Sequence, residues 1–420
     1  MKKAVFLFLL ISPIFYSGLL AVKDIREQQF WLMLIGAAIF IGMNHYNKII
    51  GYGVLYCVAH LAIFQRPAYI NSMVQILSHL IIYDCVAKYY KGKNYKWPIM
   101  AVLALNLIMA ALQYFKQDVF LHMDLQSPGL MTLPVYIGLY AAVTAPIVYT
   151  IHPSMIILSI LGIIVSKSSF SAVAFAVAMS FYLWRAKSRL FKVFVTGGLV
   201  GLIYFVGFYD GPNGQFSRRI HIWKMVGSTL AVNPFGGWGL GSYDRHIRFV
   251  EIGNGESTRE YAMYQPVKPE GERVSQKQWE ENMEEFMDRI ESVAAKEIGK
   301  EKLPELYKLN GLDQARDWFR KNGSDIYWWQ DCHNGYLLAW FELGFPALIL
   351  ILWYCFDIWR RYPRNPWDLV EVKEIVSLKA SFLAVVIISA AHFAIQLPRL
   401  SFTIMILLGI LDQRLKGAEK

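Results

Sequence analysis

The sequence predicts an all-α, polytopic membrane protein with about twelve spanning helices and a helical cap outside the bilayer. Three observations carry this expectation. Of the 420 residues, 18% are charged and 55% are hydrophobic, against about a quarter charged in soluble proteins. Apolar runs of spanning length recur along the chain. One polar block, 251–332, interrupts them and dilutes the mean hydropathy to +0.33.

A spanning helix needs roughly 20 apolar residues. The segments that qualify are 4–22, 28–43, 49–65, 69–88, 98–115, 131–150, 153–167, 169–185, 190–208, 334–359, 376–397 and 399–414. The first, in "MKKAVFLFLLISPIFYSGLLAV", resembles a signal peptide. It is long enough to span and lacks an A-x-A-like cleavage site, so it reads as a retained helix. The segment 69–88 is weakened by Gln75, His79 and Asp84. The short pair 153–167 and 169–185 reads as two helices, because merging them would move the basic cluster at 185–192 to the opposite side. With the N-terminus in the cytoplasm, eighteen Lys and Arg fall inside and six in the short outside segments. That bias favours both termini inside. Residues 1–208 then carry spans one to nine, 209–332 lie outside, and 333–420 carry the last three.

Charge is divided in the same way. The block 251–332 has a net charge of −6, and the remainder of the chain +16. The basic excess belongs to loops beside anionic lipid and is no nucleic-acid footprint. Within the block, Trp279, Met283, Phe286, Met287, Ile290, Val293, Ala294 and Ile298 share one helical face. Ser275 and Gln278 have capping-box spacing before it. A second helix, 312–321, ends at the stop signal Asn322-Gly323. The four cysteines, Cys57, Cys85, Cys332 and Cys355, show no CxxC spacing. No metal site or disulfide framework is indicated. Walker, HExxH, GxSxG and DxD patterns do not occur, so neither a cofactor nor a metal is expected.

Two stretches carry chemistry. In "SRRIHIWKMVGSTLAVNPFGGWGLGSY" (217–243), Ser217 reads as the cap of a helix burying Ile222, Trp223, Val226 and Leu230. Arg218 and Arg219 sit in its first turn, where cations oppose the helix dipole at a cost of about 0.3–1 kcal/mol. An anion bound beside them gives that placement a purpose. In "CHNGYLLAWFELGFPALILILWY" (332–354), His333 lies where the chain re-enters the membrane and Asn334 is placed to cap the helix. Tyr327, Trp328 and Trp329 precede it and suit either sugar stacking or an interfacial aromatic belt.

These stretches resemble the O-antigen ligase and O-antigen polymerase superfamily of bacterial inner-membrane glycan transferases. Arg219 and Trp223 fit its Arg-x-x-x-Trp helix, and Pro234 with Gly237, Gly239 and Gly241 fits its glycine turn. His333-Asn334, nine residues and Gly344 fit its closing element, with Ala347 as a departure. "SKSS" (166–169), with Lys167, is similar to a short basic element at the outer end of an earlier helix. The resemblance implies a GT-C-like fold in the inner membrane, with 209–332 periplasmic. It also implies metal-independent, inverting transfer of a glycan from undecaprenyl diphosphate. The first-choice acceptor is lipid A–core, which is O-antigen ligation. Polymerisation onto a carrier-linked glycan and periplasmic protein O-glycosylation are alternatives.

In this reading Arg219, helped by Arg218 and Lys167, binds the donor diphosphate. His333 takes the acceptor's proton, since an imidazole titrates near neutrality. The bland readings are interfacial anchoring for Arg218, Arg219 and Lys167 and a helix-start role for His333. His60, His79, Asp84 and His392, inside spans, are further functional candidates without an identified partner. The rival from another class is a transporter or flippase. The large outside block after span nine breaks the six-plus-six division common in transporters.

Overall fold

The computed structural model describes residues 70–90, 92, 94–115, 134–184, 215–232, 234–239, 242–245, 247–253, 259–265, 276–329, 332–361, 369–391 and 398–417. The expected spans 4–22, 28–43, 49–65 and 190–208 lie outside them. So do His60 and His392. The described chain is mostly helical and falls into two compact units. The first holds the described residues of 73–209 and 352–420, and the second those of 56–72 and 210–351.

The first unit contains α1 (Ile70–Tyr89), α2 (Lys96–Tyr114), α3 (Pro134–Ile151), α4 (Ile156–Ser166) and α5 (Ser169–Trp184). A 3-10 turn, Pro153–Met155, leads into α4. Near the chain's end come α13 (Leu369–Ala391) and α14 (Pro398–Gly417). The centre is α3, whose Ile137, Leu139, Tyr140, Val143, Ile147 and Val148 are fully buried. It packs against α2, α4, α5, α13 and α14. Such all-round burial needs an apolar helix without charges, which "PVYIGLYAAVTAPIVYTI" supplies.

The pair 153–167 and 169–185 is indeed two helices. Lys167 ends α4 in the left-handed conformation, φ 49°. The flanking serines satisfy the broken backbone. Ser166 Oγ donates to the Ile163 carbonyl at 2.7 Å and accepts from the Ser168 amide at 3.2 Å. Ser168 Oγ then accepts the Ser171 amide at 3.3 Å, capping α5. Among the described residues, α2 is the one helix long and apolar enough by itself to cross a membrane. Large apolar side chains nevertheless stand exposed on α2 (Trp97, Leu105, Ile108) and α4 (Ile157, Leu161, Ile164).

The second unit is built on α6 (Gln215–Val232), a short α7 (Ser242–Arg245), α8 (Gln276–Glu297), a one-turn α9 (Leu303–Leu306), α10 (Leu312–Lys321) and α11 (Gly335–Leu343). It also takes in the first part of α12 (Phe345–Arg360), whose Leu350, Trp353 and Phe356 are exposed.

The expected all-helical cap is corrected here, because this unit contains a three-stranded antiparallel sheet. Strands β1 (Arg248–Ile252), β2 (Glu260–Tyr264) and β3 (Ile326–Trp329) lie in the order β2-β1-β3. "RFVEI", "EYAMY" and "IYWW" are rich in aromatic and β-branched residues, which fit a pleated surface. Strand alternation gives the sheet two faces. Val250, Ile252, Ala262, Ile326 and Trp328 join the core of the helical cap. That core includes Phe286, Ile290, Val293 and Ala294, the expected stripe of α8. The second cap helix keeps its expected bounds, with Asn322 as its C-cap and Gly323 at φ 84°.

Two further expectations change. Helix α6 begins at Gln215, so Ser217 lies in its first turn and not at its cap. The expected span 334–359 is two helices, broken at Gly344.

Candidate functional site

The site is organised around the helix break at Gly344. Pro346 has no N–H, so the Glu342 carbonyl loses its helical donor. The Phe345 amide is drawn off to the Pro234 carbonyl at 3.2 Å, so the Phe341 carbonyl loses its donor as well. The turn 234–239 supplies both. The Trp238 amide donates to Phe341 O at 2.7 Å and the Gly239 amide to Glu342 O at 3.0 Å. The Trp340 indole closes the seam by donating to Pro234 O at 2.7 Å.

This approach is of backbone on backbone. A Cβ on Gly237 (φ 62°) would meet Gly344 N at 2.5 Å, and one on Gly344 (φ 85°) would meet Phe235 O at 2.2 Å. Gly237 and Gly344 of the motif thus interlock backbone against backbone. The departure, Ala347, contributes its amide to Gly344 O at 3.2 Å in the first turn of α12. Any residue other than proline can make that bond.

Helix α6 packs against α11 and β2. Its inward face carries Arg219, Ile222, Val226 and Leu230, all buried. Arg219 is only 5% exposed. A guanidinium in that position is desolvated, so any anion reaching it is held more strongly than at the surface. One turn on, the Trp223 indole donates to the Cys332 carbonyl at 2.7 Å. This bond ties the Arg-x-x-x-Trp helix to the residue immediately before His333.

His333 is held from both sides. Asn334 caps α11, its side chain accepting from the Tyr336 and Leu337 amides at 3.1 and 3.0 Å. That cap was expected from the sequence. The Cys332 thiol is buried and donates to the Asn334 carbonyl at 3.1 Å. The imidazole meets the Trp329 ring edge-on, centroids 5.1 Å apart. His333 has φ 49°. Among the described residues, the non-glycine residues with positive φ are His333 and Lys167, both expected site residues. Such backbone is uncommon outside glycine and concentrates at functional sites.

The two arginines separate. Arg218 turns toward the sheet face opposite the cap core. Its Nε and Nη2 donate to Glu251 Oε2 at 3.0 and 2.7 Å. Arg259 Nε lies 2.7 Å from the other oxygen, Oε1. Arg218 also sits over the Trp329 ring, 5.6 Å from its centroid. Tyr261, opposite Glu251 in the ladder, stacks on His221 with centroids 4.7 Å apart. Burial, then the Glu251 carboxylate, push the Tyr261 phenol above its ordinary range.

The aromatic triplet divides by strand alternation. Trp329 shares the Glu251 face, and at 7% exposure its ring is taken up by Arg218, Tyr327 and His333. Trp328 points the other way, under Arg316 at 4.1 Å and Arg248 at 5.3 Å. Tyr327, 45% exposed, is the open ring of the three.

The structure therefore brings Arg219, Trp223, the glycine turn, Arg218, Trp329 and His333 into one unit. Lys167 belongs to the other unit, exposed at the α4–α5 break. Gly241 lies outside the described residues. Glu251 and Arg259 escaped sequence reasoning. Nothing local distinguished them from the many other charged residues of 251–332. Among the described residues, no three His, Cys, Asp or Glu side chains gather as metal ligands do. His79, another candidate, is buried in the first unit with Nε2 2.6 Å from Ser401 Oγ.

No family model matches the chain, and no curated protein matches it either.

Proposed function

We propose that the chain is a membrane-embedded glycosyltransferase. It moves a glycan from undecaprenyl diphosphate to an acceptor at the periplasmic face, O-antigen ligation to lipid A–core being the first choice. The observation that carries the reading is the Trp223–Cys332 bond. It sets a buried arginine one helical turn from the chain that presents a left-handed histidine. Arginine and histidine from distant parts of the sequence are what a diphosphate leaving group and an acceptor hydroxyl require.

In the proposed reaction the acceptor oxygen attacks the anomeric carbon from the face opposite the diphosphate. The new C–O bond forms as the bond to diphosphate breaks, which inverts the centre. His333 takes the hydroxyl proton. Arg219 stabilises the charge that collects on the departing phosphate oxygens, its fork suiting them bidentately. Arg218 and Lys167 are assigned to the donor as well, Lys167 on the resemblance alone. The exposed apolar side chains of α2, α4 and α12 support a bilayer setting, and the proposed topology of about twelve spans with both termini cytoplasmic rests on the loop charges of the sequence.

The test is transfer by purified protein supplied with undecaprenyl-diphosphate-linked glycan and lipid A–core, with EDTA present. Wild type should turn over, and His333→Ala and Arg219→Ala should not, while both stay folded. Chain lengthening with carrier-linked glycan alone would make the reaction polymerisation. Glycan appearing on a periplasmic protein would make it protein glycosylation. Movement of the lipid-linked glycan across proteoliposomes without transfer would refute the transferase in favour of a transporter.

A further inference from the structure

Glu251 is a carboxylate at the centre of a sheet, its side chain 3% exposed, between two guanidiniums. Burying a carboxylate costs several kcal/mol unless it is paired. Each of its oxygens has a guanidinium partner. Arg218 arrives from α6 and Arg259 from the start of β2, so one carboxylate joins two elements. Arg218 gives Nε and Nη2 to Glu251 and keeps Nη1. The side chains of Arg218 and Arg259 remain 30% and 19% exposed, so their outer edges reach solvent. Trp329 touches both Arg218 and His333. Arg218 is therefore fixed on the flank of the histidine, and the two arginines carry a net charge of +1 once Glu251 is counted.

We infer that Glu251 is a positioning residue, holding Arg218 and Arg259 as a preset seat for the phosphate oxygens of the donor. The inference rests on the reading under Proposed function and deepens it. The chemistry is that of guanidinium preorganisation. A free arginine must lose side-chain freedom when it binds phosphate, whereas Arg218, anchored through Nε, and Arg259, ion-paired to the same carboxylate, have already lost part of it. The sign of the effect separates this role from simple neutralisation. If Glu251 only dampened positive charge, its removal would tighten anion binding. If it orients the arginines, its removal weakens binding although the site becomes more positive.

The experiment compares full-length wild type, Glu251→Gln, Glu251→Asp and Glu260→Gln in detergent. Glu260 pairs with Arg289, and its loss controls for removal of an ion pair elsewhere on the sheet. Two readouts are taken on folded protein: donor KM against kcat in the transfer assay, and the shift in melting temperature caused by undecaprenyl diphosphate alone. Glu251→Gln should raise donor KM about tenfold or more, the worth of one charge-assisted bond. Its kcat per folded molecule should stay within about twofold. Glu251→Asp should recover part of the loss, and Glu260→Gln should match wild type. The diphosphate-induced shift should shrink in Glu251→Gln alone.

An unchanged or lower KM in Glu251→Gln, or a fall confined to kcat, would overturn the inference while the transferase reading stands. A wild type without turnover, but with a diphosphate shift lost in Glu251→Gln, would leave the seat intact and remove the transferase reading. Neither turnover nor a shift in wild type would remove both.

Discussion

The proposed reaction gives His333 a proton to take as well as a left-handed backbone to hold, and single substitutions can pull the two apart. Its side chain faces Trp329, and its backbone holds φ 49°. Asparagine tolerates left-handed backbone better than most residues but cannot take the acceptor's proton. His333→Asn should therefore melt like wild type while kcat falls by about 10²–10⁴, the usual worth of a general base. His333→Val should lose melting temperature as well, because a β-branched residue is strained there. Glycines offer a second contrast. Gly344→Ala drives a Cβ to 2.2 Å from Phe235 O at φ 85°, and should cost at least about 1–3 kcal/mol in thermal unfolding. Gly227 lies inside α6 with nothing within 4 Å of an added Cβ, so Gly227→Ala should stabilise by about 0.5–1 kcal/mol. At Tyr90, burial pushes the phenol up to about 12, offset in part by the Arg414 cation. A raised phenol favours the protonated, folded form. Its contribution is complete below about pH 10 and is lost as pH climbs toward 12. Tyr90→Phe should flatten that part of an alkaline melting profile.

Elements explain what the residues alone do not. The 234–239 turn works as the missing cap of α11, and α6 is pinned to the histidine strap through one indole. Trp223→Phe keeps the packing and removes that donor. It should cost about 0.5–1.5 kcal/mol of stability. It should also lower kcat more than donor affinity, since Arg219 keeps its helix while His333 loses its tether. A stopped-flow or steady-state comparison with Arg219→Ala reads the difference. These elements were partly legible beforehand. The Asn334 cap, the stripe of α8 and the stop at Asn322-Gly323 follow from local rules, whereas the break at Lys167 came from the distribution of loop charge along the whole chain. The sheet was not legible. Its strands are four or five residues long, and β1 pairs with a partner far along the chain. Short runs such as "IYWW" carry no periodicity that separates strand from helix end. The break at Gly344 was signalled by Gly344 and Pro346 themselves, but reading 334–359 as one span passed over them. Glu251 became visible only when strand pairing set it between two arginines.

At the scale of the whole molecule, charge is handled differently in the two units. The first unit buries acids and bases together where α12, α13 and α14 meet. Arg361 bridges Asp357 and Asp412, Arg414 reaches Glu374, and the Lys379 ammonium donates to the Trp359 and Arg361 carbonyls. Removing one charge from such a set costs more than removing a matched pair. Arg361→Met should lower the melting temperature clearly, and adding Asp412→Asn should return part of the loss. If the double variant were the sum of the singles, the residues would not be coupled. In the second unit the chain runs from β2 through α8, α9 and α10 before β3 arrives. Phe249 is laddered to Trp329, and Glu251 to Tyr327. During synthesis β1 therefore waits, with one edge open, until the ribosome has delivered nearly the entire polar block. An unpaired edge recruits other strands. A nascent chain stalled before Ile326 is an aggregation hazard and has no histidine strap. Completion of the third strand covers the open edge of β1, and His333 follows it four residues later.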